Sequence, residues 1–430
     1  MDATFGGTGI ERRWRRAARR PASLVSGVLA AMLVSTLFLT RFALTVGKSE
    51  LSLALATVLL GTTLLAVTGA VRISPTRLGL FSVAVATLLL SLMLGGSVSP
   101  SYPSFLNLVL LYACWMFVVP DDRQFATAIR TLRAMLLIIA FCGIVQFFAQ
   151  IVIKGPTLFA WTIFPPKLIS HGFNYVIPVP GLGGMNKSNG FFLVEPSTLS
   201  QMMTIALVIE LEFFRPSWRM LVLATALALA FSGTGLVLFM AIVPLMLLTR
   251  GRGGILLVAL PALIGLGFAL AGPKIGLMLD RLQEFGSDQS SGFARFLSPF
   301  YLFRDYLYPH LSTTLFGMGP GAIEGFGTKT AYLIHDPTWG KLIFEYGFLG
   351  ALALGIYVCH CFFAGARSTW LAATLFVDYL LLGGNLVDAR LQALILVLVV
   401  LQNRPRDTIA RPARTAAPDS RNWARTAPTA

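Results

Sequence analysis

Most of the ionisable side chains that could do chemistry lie in one segment that precedes the last apolar stretches of the chain. The segment contains Arg281, Arg295, Arg304, His310, Glu324, His335 and Asp336. Glu345 follows at the start of the next apolar stretch. A neutral histidine can take a proton from a hydroxyl group, and an arginine at the membrane surface lies beside phosphate groups. These residue types therefore predict proton transfer from a hydroxyl group close to a phosphate.

The same side chains also have structural interpretations. An arginine can bury its stem and simply extend its guanidinium to the lipid headgroups. A lone histidine at an interface is more often structural than catalytic, and Asp336 can cap the helix expected after Pro337. Pro299 is expected to break the helix between Arg295 and Arg304, so that only one of these arginines needs to serve a site.

Several common catalytic motifs are absent from the sequence. It contains no GxxxxGK[ST] phosphate loop, no HExxH zinc motif and no cysteine and histidine spacing typical of a metal site. No Asp-x-Asp pair, the usual metal handle of nucleotide-sugar transferases, lies in an aqueous loop. All cysteines fall in apolar stretches, namely Cys114, Cys142, Cys359 and Cys361. We therefore expect no metal ion, no cofactor and no nucleotide-driven chemistry.

The composition indicates that membrane-spanning helices position these residues. Of 430 residues, 56% are hydrophobic and only 12% are charged, which is too apolar for an ordinary water-soluble core. Apolar runs recur that are long enough to cross about 30 Å of hydrocarbon as helices. The predicted fold is an all-α, polytopic membrane protein of about twelve transmembrane helices. The spans are placed at 23–40, 51–70, 78–95, 103–119, 134–153, 198–214, 219–232, 235–249, 254–271, 342–364, 370–384 and 391–402.

The distribution of arginine predicts the orientation of the chain. The formal net charge is +15, but the arginines are concentrated in both tails and in short loops, which indicates membrane topology and argues against nucleic acid as a partner. By the positive-inside rule, the basic tail of residues 1–22 and the tail of residues 403–430, predicted to be disordered, lie in the cytoplasm. Residues 23–402 then form a multi-pass domain in a bacterial inner membrane, with lipid as an expected partner.

The run from residue 219 to residue 250 decides the sidedness of everything after it. We predict two short spans with a tight outward turn at Ser232–Gly235, because the run is too long for one ordinary span. One long tilted helix would reverse the orientation of the remaining chain. With two spans, both termini are cytoplasmic, and two large loops face the periplasm, at residues 154–197 and 272–340. Loops of this length usually carry function, so we place the chemistry there.

Three short motifs occur in order between residues 186 and 350. The first is Asn186–Ser197, which contains Gly-Phe-Phe followed by Glu-Pro-Ser. The second combines Gly292–Arg295 with the glycine-rich turn Leu315–Gly321. The third is His335–Gly350, in which a histidine precedes Glu-Tyr-Gly and a further glycine. Together, in this order and spacing, they resemble the motifs of bacterial O-antigen polymerases and O-antigen ligases.

The resemblance implies a helical fold with large periplasmic loops and transfer of a glycan from undecaprenyl diphosphate to a sugar hydroxyl. It implies that His335 activates the acceptor hydroxyl, with Glu195 and Glu345 as second choices for the base. It also implies that cationic side chains bind the carrier diphosphate, for which the candidates are Arg295, Arg304, Arg281 and Lys187. Two departures from the family are visible. Asp336 stands where asparagine is commoner, and the first loop contains no arginine, so that Lys187 is its candidate cation.

The function that we favour from the sequence is a polysaccharide polymerase that joins carrier-linked oligosaccharide repeats at the periplasmic face, for O-antigen, capsule or exopolysaccharide. A ligase that transfers finished glycan to another acceptor shares the same motifs. A third hypothesis is a flippase or transporter of lipid-linked oligosaccharides, but such proteins usually have polar residues within their spans, and here the spans are mostly free of them. A fourth hypothesis is a scaffold subunit of an export complex. A chain-length regulator or export complex is a candidate partner.

Overall fold

The computed structural model describes residues 24–46, 49–96, 100–119, 122–153, 158–159, 161, 164–179, 182–250, 291–327 and 329–403. Over these residues the protein is mostly helical, with 69% helix and two short antiparallel strand pairs. The helical class predicted from the composition is therefore confirmed for the described residues. The tails at 1–22 and 404–430, the span predicted at 254–271 and Arg281 lie outside them.

The described residues form a series of α-helices joined by short strands and turns. The helices are α1 (Leu24–Leu37), α2 (Leu53–Val67), α3 (Pro75–Leu94), α4 (Tyr102–Ala113), α5 (Asp122–Ala149), α6 (Pro196–Phe213), α7 (Trp218–Leu229), α8 (Gly233–Thr249), α9 (Ser291–Phe296), α10 (Ser298–Leu302), α11 (Leu311–Phe316), α12 (Thr338–Phe363), α13 (Thr369–Val377) and α14 (Ala389–Ile395). Strand β1 (Ala43–Val46) pairs with β2 (Ser49–Ser52), and β3 (Arg72–Ile73) pairs with β4 (Phe117–Val118). Turns of wider π-helix extend α10, α13 and α14, at Phe303–Leu307, Asp378–Leu382 and Leu396–Val400.

Among the described residues, three helices are long and apolar enough to cross a membrane. They are Pro75–Leu94, Arg123–Ala149 and Thr338–Phe363. A helix also lies at each of the other predicted spans except 254–271, which is outside the described residues. Most of these other helices are shorter apolar helices of 10–17 residues. The three long helices indicate a membrane protein, whereas the total of about twelve spans stays a prediction.

The run from residue 219 to residue 250 forms two helices, as predicted. The turn between α7 and α8 contains Phe231 in the left-handed region, at φ 45°. The ring of Phe231 stacks on that of Phe147 in α5, with 5.7 Å between the ring centroids. The Ser188 amide donates to the Leu229 carbonyl at 3.3 Å. The turn therefore packs on the first long loop.

The loops predicted to be cytoplasmic meet at one end of the helix bundle. Arg77, at the start of α3, donates to the carbonyl oxygens of Trp115, Phe117 and Val400 at 3.1, 3.2 and 2.9 Å. Arg77 is buried, and these carbonyl groups replace the water that its charge has lost. The bonds join the loop before α3, strand β4 and the last turn of the final helix.

Ion pairs join further loops of the same group. Arg133 of α5 forms two hydrogen bonds with the carboxylate of Glu210 in α6, at 2.6 and 2.8 Å. Arg250, just after α8, pairs with Glu212. Ser368, just before α13, donates to the other oxygen of Glu212 at 3.1 Å. The two acidic residues in the span predicted at 198–214 therefore have structural partners.

The loops predicted to face outward meet at the opposite end of the bundle. The Gly96 amide, just after α3, donates to the Gly317 carbonyl at 3.0 Å. The Ser101 amide, just before α4, donates to the Pro320 carbonyl at 2.8 Å. The loop between α3 and α4 therefore packs on the second long loop. This segregation of the loops fits an even number of crossings, although membrane sidedness itself stays a prediction.

Helix α12 is broken at Gly347, which adopts a left-handed backbone conformation at φ 65°. Such a break leaves carbonyl groups of the preceding turn without helical partners. The amides of Met318 and Gly319 donate to the carbonyl oxygens of residues 344 and 345, at 2.8 and 2.9 Å. Gly317 lies directly against Gly347, and neither position has room for a Cβ atom. Two glycine motifs that are distant in the sequence therefore form one backbone junction.

We predict that Gly347→Ala destabilises the fold, whereas Gly355→Ala in the same helix does not. A Cβ atom at residue 347 would meet the Leu315 carbonyl, and alanine would be strained at a positive φ. We expect a loss of about 2–4 kcal/mol, measured as a lower thermal-unfolding midpoint of the detergent-solubilised protein. Gly355 has open space at its Cβ position, so its alanine variant should unfold at or above the wild-type temperature. Equal midpoints for the two variants would contradict this prediction.

Candidate functional site

Three of the predicted site residues come together at the end of the bundle where the long loops meet. Glu195 directly precedes α6, Arg295 lies in α9, and His335 lies in the loop before α12. The His335 amide donates to the Ala294 carbonyl at 3.2 Å, which places the histidine beside the helix that carries Arg295. The charge of Arg295 interacts with Glu195, and His335 interacts with both. The group therefore unites the three sequence motifs.

Arg295 has the properties of an anion-binding residue. Its side chain is partly buried, and burial lowers the pKa of the guanidinium, whereas Glu195 and Asp378 act in the opposite direction. Arginine nevertheless stays charged at neutral pH. Among the described residues, its side-chain nitrogen atoms have neither a hydrogen bond nor an ion pair. A desolvated cation with unused donors favours an anionic ligand such as phosphate.

His335 has the properties of a general base. Its side chain keeps access to solvent and makes no hydrogen bond within the described part of the chain. Partial desolvation and the charge of Arg295 lower its pKa, and the carboxyl groups of Asp336 and Glu195 oppose this only in part. The ring is therefore neutral at pH 7 and can accept a proton.

Glu195 is held in place by two hydrogen bonds. The Asn174 amide donates to its Oε1 atom at 3.2 Å, and the Ser197 hydroxyl donates to its Oε2 atom at 2.9 Å. Pro196 follows at the first position of α6, where a helix needs no amide donor. Because both oxygen atoms already have donors, Glu195 is better suited to be an electrostatic partner of Arg295 than a free base.

Asp378 belongs to this group, although no motif assigned it a role. It is buried in the turn that extends α13, and its Oδ1 atom has no hydrogen-bond partner among the described residues. It interacts electrostatically with Arg295. A lone carboxyl group in an apolar stretch is costly unless it serves a partner or a function. That isolation was the signal in the sequence that could have identified it.

Glu345, a second choice for the base, is buried, in contrast to His335. It is only 1% exposed, because it lies in the broken part of α12 under the glycine-rich turn. Its carboxylate is 3.9 Å from the Lys341 ammonium, and its oxygen atoms lack a well-formed hydrogen bond among the described residues. The burial of Glu345 therefore favours His335 over Glu345 as the predicted base.

The other predicted cations differ from Arg295. Arg304 is exposed and pairs with Asp305 at 2.7 Å, so its charge is already balanced. Lys187 is half-buried in the first long loop and stays a predicted ligand. Arg281 lies outside the described residues. Arg295 is therefore the strongest candidate for the diphosphate in the described part of the chain.

The first long loop contains no arginine, but arginines from other segments of the chain form hydrogen bonds with it. Arg41, buried after α1, donates to the Phe159 carbonyl at 2.5 Å and to the Leu193 carbonyl at 2.7 and 3.0 Å. Burial lowers the pKa of Arg41 to about 10. Arg390 in α14 donates to the Ser170 hydroxyl at 2.9 Å. Both arginines donate hydrogen bonds to protein groups. They therefore hold the chain before α6 in place rather than bind a ligand.

Gln146 of α5 organises the first motif. Its Oε1 atom accepts from the Ser188 hydroxyl and from the amides of Asn189 and Gly190, each at 2.9 Å. Its Nε2 atom donates to Asn189 Oδ1 and to the Leu158 carbonyl, both at 2.8 Å. Gly190 has φ 70°, which favours glycine. The motif is therefore a tight turn whose donors converge on one buried acceptor.

Comparison with known proteins does not assign a function. No protein-family model matches the chain, and no curated protein shows significant similarity to it. The function is therefore inferred from the geometry of Glu195, Arg295 and His335 and from the motifs that contain them.

We predict that Gln146→Met loosens the first long loop. The substitution keeps the length of the side chain but leaves several buried donors without their acceptor, at a cost of about 1–3 kcal/mol each. Limited proteolysis of the solubilised protein should then cut within residues 158–194 faster than in wild type. Val145→Met is the matched control, because Val145 is 58% exposed on the same helix, and it should behave as wild type. Equal protection in both variants would refute the prediction.

Proposed function

We propose that this protein is an inner-membrane polysaccharide polymerase that joins oligosaccharide repeats carried on undecaprenyl diphosphate. The observation that carries the proposal is the convergence of Arg295, His335 and Glu195 from three distant segments. A cation with unused donors beside a neutral imidazole is what glycosyl transfer from a diphosphate carrier needs. The resemblance of the same segments to O-antigen polymerases and ligases supports the same chemistry.

The proposed reaction is a single displacement at the anomeric carbon of the donor sugar. His335 takes the proton of the acceptor hydroxyl, and the hydroxyl oxygen forms a bond with the anomeric carbon. The bond from that carbon to the phosphate oxygen breaks, and its electron pair stays on the diphosphate. Arg295 stabilises the charge that develops there, which replaces the role that a metal ion has in many transferases. Attack opposite the leaving group inverts the anomeric centre.

Glu195 and Asp378 leave the N–H groups of Arg295 available for the carrier-linked substrate. Both attract the guanidinium electrostatically, but neither forms an ion pair with it within 4.0 Å. The arginine is therefore oriented without losing its hydrogen-bond donors to protein groups. A diphosphate, which carries more charge than one carboxylate and offers several acceptor atoms, competes well for them.

The position of the group suits a carrier that has already crossed the membrane. The group lies at the end of the bundle away from the arginine-rich loops, and the positive-inside rule makes that end periplasmic. Leu297 and Phe300, next to Arg295 in the chain, are 39% and 56% exposed. Apolar side chains exposed beside a cation fit the depth of the lipid headgroups. We therefore place the carrier diphosphate beside Arg295.

Other functions fit the observations less well. A ligase would use the same donor and base, and we favour a polymerase because no feature of the sequence points to a lipid A core acceptor. A flippase needs polar residues along a path through the membrane. The acidic residues of α6 are instead paired at the other end of the bundle, Glu210 with Arg133 and Glu212 with Arg250.

We expect that a deletion strain complemented with His335→Ala or Arg295→Ala accumulates single repeats on the carrier at the outer face. Each variant should lower chain formation by about 100-fold, because each removes one contribution to the transition state. Arg304→Ala is the matched control, since Arg304 is exposed and paired, and it should keep most of the activity. Carrier-linked products are separated by size, and immunoblots check that all variants reach the membrane.

The product pattern distinguishes the alternatives. Long carrier-linked chains that fail to reach an acceptor would indicate a ligase. Repeats trapped at the cytoplasmic face would indicate a flippase. Normal chain length in both His335→Ala and Arg295→Ala would contradict an enzymatic role for the site and favour a scaffold.

The rate should also depend on the protonation of His335. Partial desolvation and the charge of Arg295 lower its pKa below the ordinary value of 6.5, so the neutral base predominates at neutral pH. The rate of chain growth by purified protein should therefore be flat near neutrality and fall only as the pH drops below 6.5. Arg295→Gln removes the nearby positive charge, raises the pKa of His335 and should move this acid limb to higher pH. If the rate of Arg295→Gln falls at the same pH as that of wild type, the predicted effect of Arg295 on the pKa of His335 is wrong.

A further inference from the structure

Lys341 is a buried lysine that the proposed reaction does not use. It lies in the first turn of α12 and is only 3% exposed. Its ammonium group is 3.0 Å from Asp336 Oδ2, 3.9 Å from Glu345 Oε1 and 4.0 Å from Glu324 Oε1. The three carboxyl groups come from the loop before α12, the break in α12 and a turn earlier in the second long loop. A buried ammonium group is tolerated only with such partners.

The Asp336 carboxylate contacts Lys341 and Gly384 and forms no hydrogen bond with the histidine beside it in the described part of the chain. Its Oδ2 atom accepts a hydrogen bond from Lys341 at 3.0 Å. Its Oδ1 atom lies against Gly384, where an added Cβ atom would come within 2.8 Å of it. In the described part of the chain, no hydrogen bond joins Asp336 to the ring of His335. The Oδ2 atom is therefore bound by Lys341, and the Oδ1 atom lies beside the backbone at Gly384.

We propose that Lys341 is a positioning residue for the base, which binds the Asp336 carboxylate beside His335 and balances part of its charge. A carboxylate beside an imidazole stabilises the protonated ring, and a protonated ring cannot take a proton from a hydroxyl group. The Lys341–Asp336 pair is neutral overall, so that Asp336 stabilises the protonated ring less than an unpaired carboxylate would. The catalytic meaning of the pair rests on the proposed function, whereas its effect on the histidine does not.

The pair also accounts for a departure in the third motif. Asp336 stands where the resembling family usually has asparagine, a side chain of the same shape without the charge. An aspartate there adds one negative charge next to the base. Lys341, five positions later, supplies the compensating positive charge and reaches the same carboxylate from the first turn of the helix.

Among the described residues, the charged groups that act on His335 come from three elements, namely Arg295 in α9, Glu195 before α6 and Asp336 in its own loop. The arginine lowers the pKa of the ring, and the two carboxyl groups raise it. Glu324 and Glu345 face Lys341 instead. Substitutions at Lys341 and Asp336 therefore change this one ion pair and leave the other charged groups around His335 unchanged.

The pKa of His335 can be measured directly by NMR on purified protein with labelled histidine in lipid nanodiscs. The chain contains only 4 histidines, and the signal of His335 is assigned by its loss in His335→Gln. We expect Lys341→Met to raise this pKa by about 1, because Asp336 is then unbalanced and free to turn to the ring. Asp336→Asn should lower it, because Lys341 then adds a net positive charge. The double variant should return close to the wild-type value.

Lys329→Met is the matched control. Lys329 is an exposed lysine of the same loop, 5.0 Å from the centre of the Phe326 ring, and its removal should leave the pKa of His335 unchanged. A purely structural lysine would behave differently, since Lys341→Met would then lower the unfolding temperature without moving the pKa. That result would overturn the inference. If Lys341→Met does not fold, an unchanged pKa in Asp336→Asn overturns it equally.

The experiment separates this inference from the proposed function. The pKa of His335 is read without substrate, so the expected pattern across the variants does not require that the protein joins glycans. If the pKa of His335 changes as expected in the Lys341 and Asp336 variants but a His335→Ala strain makes normal polymer, the role of Lys341 is supported and only the proposed function is wrong. If the pKa is unchanged in those variants but the His335→Ala strain makes no polymer, only the proposed role of Lys341 is wrong.

Discussion

The junction between the glycine-rich turn and the broken helix α12 determines where the candidate base lies. Carbonyl groups freed by a break in a lipid-embedded helix need partners within the protein, and the amides of Met318 and Gly319 supply them. This close approach is possible because Gly317 and Gly347 have no Cβ atom. This junction fixes the first turns of α12, and the loop that contains His335 leads directly into them. The glycine motifs therefore help to position the candidate base.

The charged side chains around this junction determine whether the site can bind an anion and accept a proton. Arg41, Arg133 and Lys341 are engaged by carbonyl or carboxyl groups, whereas Arg295 keeps unused donors in partly desolvated surroundings. Such an arginine favours an anion, and partial desolvation together with the same positive charge lowers the pKa of His335, which favours the neutral ring. One electrostatic arrangement thus supplies a candidate anion-binding arginine and a neutral base, which are the two features that the proposed transfer from a diphosphate carrier requires.

Much of this arrangement could be predicted from the sequence, and the remainder depends on long-range contacts. The helices lie where apolar runs predicted them, because a run long enough to cross lipid has few other solutions. Glu195, Arg295 and His335 were identified by their motifs. The burial of Glu345 was not foreseen, since a carboxyl group near a helix start is normally accessible, and a glycine in a helical pattern does not reveal a break. The role of Arg41 was missed because its partners are distant in the chain.

Glycan transfer at the His335 end of the bundle is best tested by following the release of free undecaprenyl diphosphate from carrier-linked repeats. Purified protein in lipid vesicles is supplied with repeats extracted from the deletion strain, and phosphorus NMR records the released carrier while gel analysis records chain length. We expect wild type to release one carrier for each repeat added, in the presence of EDTA, and His335→Ala to release it only at the background rate. Release that is independent of His335, or a wild-type protein that never lengthens the chains, would contradict the assignment of a polymerase site to this end of the protein.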